Sequence, residues 1–338
     1  MAEQTTSPDS PEPTEEKGNR PALKLLGILL GVPCVLIVML LAFLVPSLNS
    51  GASDLPLGVS GPAPAVEQVT EALDQRSPGA FDITTYDSAD GAVDAVKNRD
   101  EIGAISLDAN GITVVTASGA GTPYSQLLKQ IGEGLEAQGN SVEYRDVAPF
   151  PEEDPTGSAI ATLGLPVVFG GNVSAMLLIF LLKGYPRLSI LGGILLSITG
   201  GISTAAVLQY GFHVLDGDFI LTAAALSLGI AAICMTLQGL HNLAGMTGIG
   251  IAGILLLFLA NPLAGLATGP DWLPAPWGEI GQLLPIGAAG TAIRSAAYFD
   301  GAGSGTAFLV LSCWTLAGFL MAAFVSRHKS RKEASVGA

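Results

Sequence analysis

Apolar residues fall into six long runs along this chain, and the polar residues between them are unevenly spread. Leu25–Val45 carries no charge and, at 1.5 Å per residue, would span roughly 31 Å as a helix, the thickness of a bilayer's hydrocarbon core. Further runs follow at Ser158–Leu182, Leu188–Gln209, Phe219–Leu240, Ala244–Ala267 and Thr306–Val325. The first is longer than a signal-peptide core, and no small-x-small site follows it, so it is expected to stay as an anchor. The pattern predicts a polytopic α-helical membrane protein: transmembrane helix 1 at 23–46, then a five-helix bundle at 158–326. Between helices 1 and 2, residues 47–157 predict a small α/β extracytoplasmic domain.

Within that insert the pattern changes from membrane runs to short alternating and helical periods. Leu55–Val59, Phe81–Tyr86, Ile102–Leu107, Gly111–Ala117 and Ser141–Val147 predict strands, and Ala65–Gln75, Ala89–Lys97 and Tyr124–Gln138 predict helices. Asp108-Ala109-Asn110-Gly111 is a strong hairpin signal, because Asn-Gly accepts the left-handed backbone of a two-residue turn. Pro149–Gly157, with three prolines, predicts a stiff, extended exit that keeps the domain near the membrane.

Charge sharpens this division. Charged residues make up 13 % of the chain, against about 25 % in soluble domains, and the net charge is −14. The insert holds 18 acidic and 5 basic residues, so nearly all the net negative charge sits there. Such a domain disfavours nucleic acid and anionic headgroups as ligands. The cations, in contrast, bracket the spans. Lys17, Arg20 and Lys24 precede the first, Lys183 and Arg187 flank a short turn, and Arg327, Lys329, Arg331 and Lys332 follow the last. By the positive-inside rule these ends are cytoplasmic, and Tyr210–Asp218, which is acidic only, faces outward. Residues 1–22 and 327–338 read as cytoplasmic tails, the first disordered and the second basic.

Chemistry-bearing residues are few. There is no G-x-x-x-x-G-K-[ST] phosphate loop and no G-x-S-x-G elbow, and His213, His241 and His328 lack ligand spacing. No catalytic residue, cofactor or metal is expected. Cys34, Cys234 and Cys313 all fall in spans as small apolar residues, leaving the insert without a disulfide framework. Asn172 sits mid-span, inside a formal glycosylation sequon that a buried helix cannot use, and is expected to bond a neighbouring helix or line a pathway. Trp277–Phe299 is apolar enough to form one or two re-entrant helices buried against protein. Its only charges, Glu279 and Arg294, are expected to reach water at the outer surface rather than to pair. Glycines at Gly192-Gly193, Gly200-Gly201, Gly245, Gly248, Gly250 and Gly253 predict close helix packing.

The layout resembles the membrane subunits of ABC-2-type exporters, including the phage-infection-protein-like branch. Asp154-Pro155-Thr156-Gly157 looks like the Asp-Pro-x-Gly entry to the second span in actinobacterial members. Leu284-Pro285-Ile286-Gly287, Tyr298-Phe299 and a last span containing Trp314 look like their carboxy-terminal segment. The resemblance implies an export permease of the cell membrane, surrounded by lipid, homodimeric and driven by a separate cytoplasmic ATPase. That ATPase would dock at Lys183, Gly184, Tyr185, Pro186 and Arg187. The cargo would be lipid-like or amphipathic. Residues 1–22 depart from the family in showing no amphipathic coupling helix. The other reading is a non-transporting envelope protein whose outside domain binds a partner or surface component.

Overall fold

The computed structural model describes residues 20–336 apart from 110. Six helices among them are long and apolar enough to cross a membrane: Leu25–Asn49, Ser158–Leu181, Pro186–Gly211, Phe219–Ala244, Met246–Leu263 and Gly305–Phe324. The chain is therefore a multi-pass helical protein, with spans close to those the apolar runs predict. The first helix, α1 (Arg20–Asn49), begins inside the segment expected to be tail, and the rest of that tail lies outside the described residues. Its part up to Leu41 is a unit of its own, and from Ala42 onward the chain forms a second, compact unit.

Residues 55–146 form the expected α/β domain. Its elements are β1 (Leu55–Ser60), α2 (Ala63–Arg76), β2 (Phe81–Tyr86), α3 (Ala89–Asn98), β3 (Gly103–Asp108), β4 (Gly111–Thr116), α4 (Thr122–Glu136) and β5 (Val142–Asp146). The sheet runs β2-β1-β3-β4-β5, parallel except for the β3–β4 hairpin, where Asp108 pairs with Gly111 across a two-residue loop. The crossovers from β1 to β2 and from β2 to β3 run in opposite directions along the sheet. With right-handed connections, that puts α2 and α3 on opposite faces. Two clusters follow. Ile105 and Val114, paired across the hairpin, pack with Leu73 of α2 and Leu128 of α4. The next pair, Ala104 and Val115, faces the other way with Ala92, Val93 and Val96 of α3. That second cluster also takes in Phe299, which lies far along the chain beyond most of the helical bundle's sequence. The domain's core is thus completed by the membrane part.

The bundle consists of α5 (Ser158–Leu181), α6 (Pro186–Ala206, continuing through a wide turn to Gly211), α7 (Phe219–Ala244), α8 (Met246–Gly253), α9 (Ala260–Leu263), α10 (Trp277–Gln282), α11 (Pro285–Tyr298) and α12 (Gly305–Val336). A wide-turn stretch, Ile254–Leu259, joins α8 to α9. The helix α12 runs on past the predicted end of the last span, into the segment expected to be a tail. Helix α7 is the centre, with 72 % of its apolar window buried against 22–39 % for α5, α6, α8–α9 and α12. Its neighbours approach it at glycines. A Cβ on Gly171 (α5) would strike Ile233, one on Gly201 (α6) would strike Ser227, and one on Gly318 (α12) would strike the Met235 backbone. Lipid offers no hydrophobic drive for helix association, so such close contacts supply the attraction. Gly250 and Gly253 have nothing within 4 Å, so packing does not account for them.

The exit from the domain differs from the expected extended rod. Asp154 N–H donates to the Pro151 carbonyl and Gly157 N–H to the Asp154 carbonyl, folding Pro151–Gly157 into two successive turns. Pro155 sits at the second position of the later turn, where its fixed φ suits a turn, so it bends the chain here rather than stretching it. Asp154, only 5 % exposed, then caps α5: Oδ1 accepts from Ser158 N (2.9 Å) and Ser158 Oγ (2.8 Å), and Oδ2 from Ala159 N (2.7 Å). Gly157 takes a left-handed φ of 66° beneath the Phe150 ring, where any side chain would collide. The Asp-Pro-x-Gly motif is a helix cap whose carboxylate meets the positive end of the helix dipole. Asp154→Ala should lower stability by about 1–2 kcal/mol and Asp154→Asn by less, read as thermal midpoints of the purified protein.

Candidate functional site

Consecutive bundle helices joined by short turns must alternate in direction, so the connections fall at two ends. One end carries the α/β domain, the 212–218 connection and the segment from Ala264 to Ser304. The other carries the turn between α5 and α6, about 36 Å away along the 24 residues of α5. Lys183, Gly184, Tyr185 and Arg187 are all exposed there, Pro186 opens α6, and Gly184 has a φ of 94°.

The other singled-out residues do not meet. The half-buried Asn172 donates Nδ2 to the Val168 carbonyl of its own helix at 2.9 Å, not to a neighbour. Glu279 is exposed in the first turn of α10, as expected. Arg294 does not reach water: it is 3 % exposed, and Nη2 donates to the Leu266 carbonyl at 2.7 Å. Gln209 and Gln238, near the ends of their spans, are buried as well. Gln209 donates to the Asp216 and Gly217 carbonyls, while Gln238 accepts from Ser189 Oγ at 3.0 Å and donates to Cys234 Sγ at 3.4 Å.

The seam between domain and bundle is built by residues that the sequence pattern does not single out. Arg99 follows α3 with a left-handed φ of 66°, a conformation that a non-glycine residue adopts at a cost. That twist aims its guanidinium at α11, where Nη1 donates to Ser295 Oγ (2.5 Å) and toward the Thr291 carbonyl (3.4 Å). The Phe299 ring lies beneath it, with its centroid 5.2 Å away. Burial, and secondarily the like charge of Arg294, bring Arg99 down to about 10, so it stays cationic at neutral pH. Tyr124, 1 % exposed, donates to Asp271 Oδ2 at 3.4 Å, accepts from Trp272 N at 3.1 Å and meets the Trp272 ring edge-on. A cavity of about 40 Å³ between Arg99, Glu101, Tyr124, Asp271 and Phe299 has room for water or a small ion, not for an organic substrate. Glu101 is 6 % exposed and accepts from Tyr86 OH at 2.9 Å, and burial raises its carboxyl above the usual range.

A larger cavity, of about 310 Å³, lies where the end of α1 meets the start of α5 and the chain after α9. Phe43, Ser47 and Ser50 form one side, Ala161 and Asn261 another, and Gly265–Thr268 the back. That back wall is held firmly. The Leu266 side chain lies between Gly164 of α5 and Gly290 of α11, each too close to admit a Cβ, and its carbonyl is held by Arg294. Gln282 donates to the Ala264 carbonyl at 3.3 Å while accepting from Thr291 Oγ1 at 2.6 Å.

Comparison with family models, curated proteins and solved structures returns no match. The residues themselves must carry the functional reading.

Two measurements test the seam. Arg99→Ala should destabilise the protein by about 1–3 kcal/mol through the lost charged hydrogen bond. Arg99→Gly should be milder by up to about 1 kcal/mol, because glycine relieves the left-handed backbone; equal losses would mean the backbone is unstrained. Glu101 has its folded pKa raised above its unfolded value of about 4.3, so its contribution is most favourable at low pH and lost as pH rises through the folded value. Glu101→Gln should therefore raise the thermal midpoint at pH 7–8, and the gap to the wild type should close as pH falls toward about 4.

Proposed function

We propose that this chain is the membrane permease subunit of an ABC-2-like exporter of the cell membrane, moving a lipid-like or amphipathic substrate as a homodimer. In this reading both termini are cytoplasmic and the α/β domain is extracytoplasmic. The observation that carries it is the division of labour between the two ends of the bundle. At one end a domain is fused to the helices through a shared core, and at the other a short basic turn stands exposed. By the charge rule that turn lies in the cytoplasm, where an ATPase would reach it. The chain carries no phosphate loop, so the energy would come from that separate partner.

The bundle's packing bears on the path. The space between α5 and α11 amounts to about 10 Å³, too little to pass any solute. No pathway would run between α5 and α11, and one along the lipid-facing or dimer-facing outside of the bundle would suit amphipathic cargo better than a water-soluble one.

Purification in mild detergent tests the proposal. Recovery of a homodimer with a stoichiometric ATPase, lost when Lys183 and Arg187 are both changed to Glu, supports it. A clean monomer without an ATPase sinks it and favours the non-transporting envelope protein. Independently, a cysteine placed at Gly184 should be labelled only from the cytoplasmic side; labelling from outside would invert the topology.

A further inference from the structure

The 310 Å³ cavity between α1, α5 and the chain after α9 has a composition that specifies a ligand. Its polar side chains are Ser47, Ser50, Thr268 and Asn261; Ser50 Oγ donates to the Ser47 carbonyl at 2.9 Å and Thr268 Oγ1 to the Gly269 carbonyl at 3.2 Å, so both keep lone pairs to accept with. The rest of the lining is apolar, led by Phe43 and Leu266, and no lining residue carries a charge. Its height along the chain is equally specific. The apolar run of α1 ends at Val45, and the hydroxyl residues Ser47 and Ser50 follow within five positions. In a bilayer that is where hydrocarbon gives way to headgroups.

We infer that this cavity binds an uncharged, hydroxyl-bearing amphiphile of the diacylglycerol or glycosylglyceride class, with its head among Ser47, Asn261 and Thr268 and its chains along Phe43 toward the lipid. The choice of an uncharged head follows from what surrounds the cavity. Arg294 is not among the lining residues, and its Nη2 is taken up by the Leu266 carbonyl. The insert 47–157 at the same end holds 18 acidic against 5 basic residues and disfavours anionic headgroups. A cationic head would find no carboxylate in the lining. Hydroxyls remain as the matching chemistry, since they both donate to and accept from serine, threonine and amide groups. Preformed walls reduce what binding costs, and here Arg294 of α11 and Gln282 at the end of α10 fix the back wall.

The test uses the full chain in zwitterionic lipid nanodiscs, without any ATPase, so it fails or succeeds independently of the transport reading. The probe is a photoactivatable dioctanoylglycerol, with crosslinks mapped by peptide mass spectrometry. Saturable labelling is expected in the peptides bearing residues 43–50 and 261–268, competed by unlabelled dioctanoylglycerol but not by dioctanoylphosphatidylglycerol. Ala161→Phe, an exposed position at the rim, should weaken labelling by about tenfold through filling the space. If that variant folds poorly by its thermal midpoint, Asn261→Leu should weaken labelling in its place by removing the head's amide partner. Labelling spread evenly over the outer faces of the helices, equal competition by the anionic lipid or by a cationic dioctanoyl lipid, or full labelling in the folded variant would each overturn the inference.

Discussion

Helix α11 has almost no exposed face, and the domain end of the molecule is assembled around it. Twelve of its residues are buried, and most of them are alanine, glycine or serine, which let other backbones come close on every side. A helix buried all round normally forms the core of a large protein. Here it provides one surface to α7 and α12, another to the α/β domain through Thr291 and Ser295, and a third to the loop after α9 through Arg294. Its last turn also holds the connection between α6 and α7, where a Cβ on Gly217 would collide with the Ala296 carbonyl and Tyr298 OH donates to the Val214 carbonyl. Larger side chains on α11 would force these partners apart together, not one at a time.

This arrangement makes the α/β domain a part of the bundle's end rather than a tethered module. Its sheet needs cover on two faces, and α2 and α4 cover only one. The second is closed by α3 together with Phe299, Tyr298 and Trp272 from the membrane part. The seam is also polar at a defined point. Arg99 occupies a backbone conformation that glycine would take more readily, yet its guanidinium is the group that reaches α11. The strain is offset by a charged hydrogen bond in a partly dry setting, where such bonds are stronger than in water.

Much of this architecture is legible from period alone. Alternation in Phe81–Tyr86 and the Asn-Gly hairpin locate the strands, and unbroken apolar runs locate the spans, because burial in lipid and in a sheet leave different spacings. Periodicity does not reveal contacts set by a single backbone angle or by long-range packing. In sequence Arg99 is one of several charges, and only its position just past α3, where a left-handed cap belongs, hints at more. Arg294 reads as an outer-surface cation because its helix is too short to be recognised as buried. The Asp-Pro-x-Gly motif is visible as a resemblance, while its physical role, a carboxylate folded back onto three donors, requires the turn geometry. Three prolines in a short segment suggest an extended chain, and here they bend it. The seam and the cavity draw residues from segments far apart in sequence, so no local window contains either.

The acidity of the α/β domain, unexplained by its fold, gains a reason from its position. A surplus of carboxylates does nothing for the sheet, and at close range it costs stability through mutual repulsion. Its field falls off within about 10 Å at ordinary ionic strength. If the inferred site is occupied as proposed, that field would act at the same end of the bundle as the cavity. Within it, anionic headgroups, which a bilayer surface can supply in abundance, are held off, while uncharged amphiphiles feel no penalty. The cavity itself would reinforce that choice, since its lining holds Ser47, Ser50, Thr268 and Asn261 and no charged residue, while Arg294 is bound to the Leu266 carbonyl. Discrimination by repulsion outside and by neutral hydrogen bonding inside is the ordinary way to obtain specificity when attraction alone would admit both classes. The feature that contributes least to the fold is then the one that sorts what approaches the membrane end.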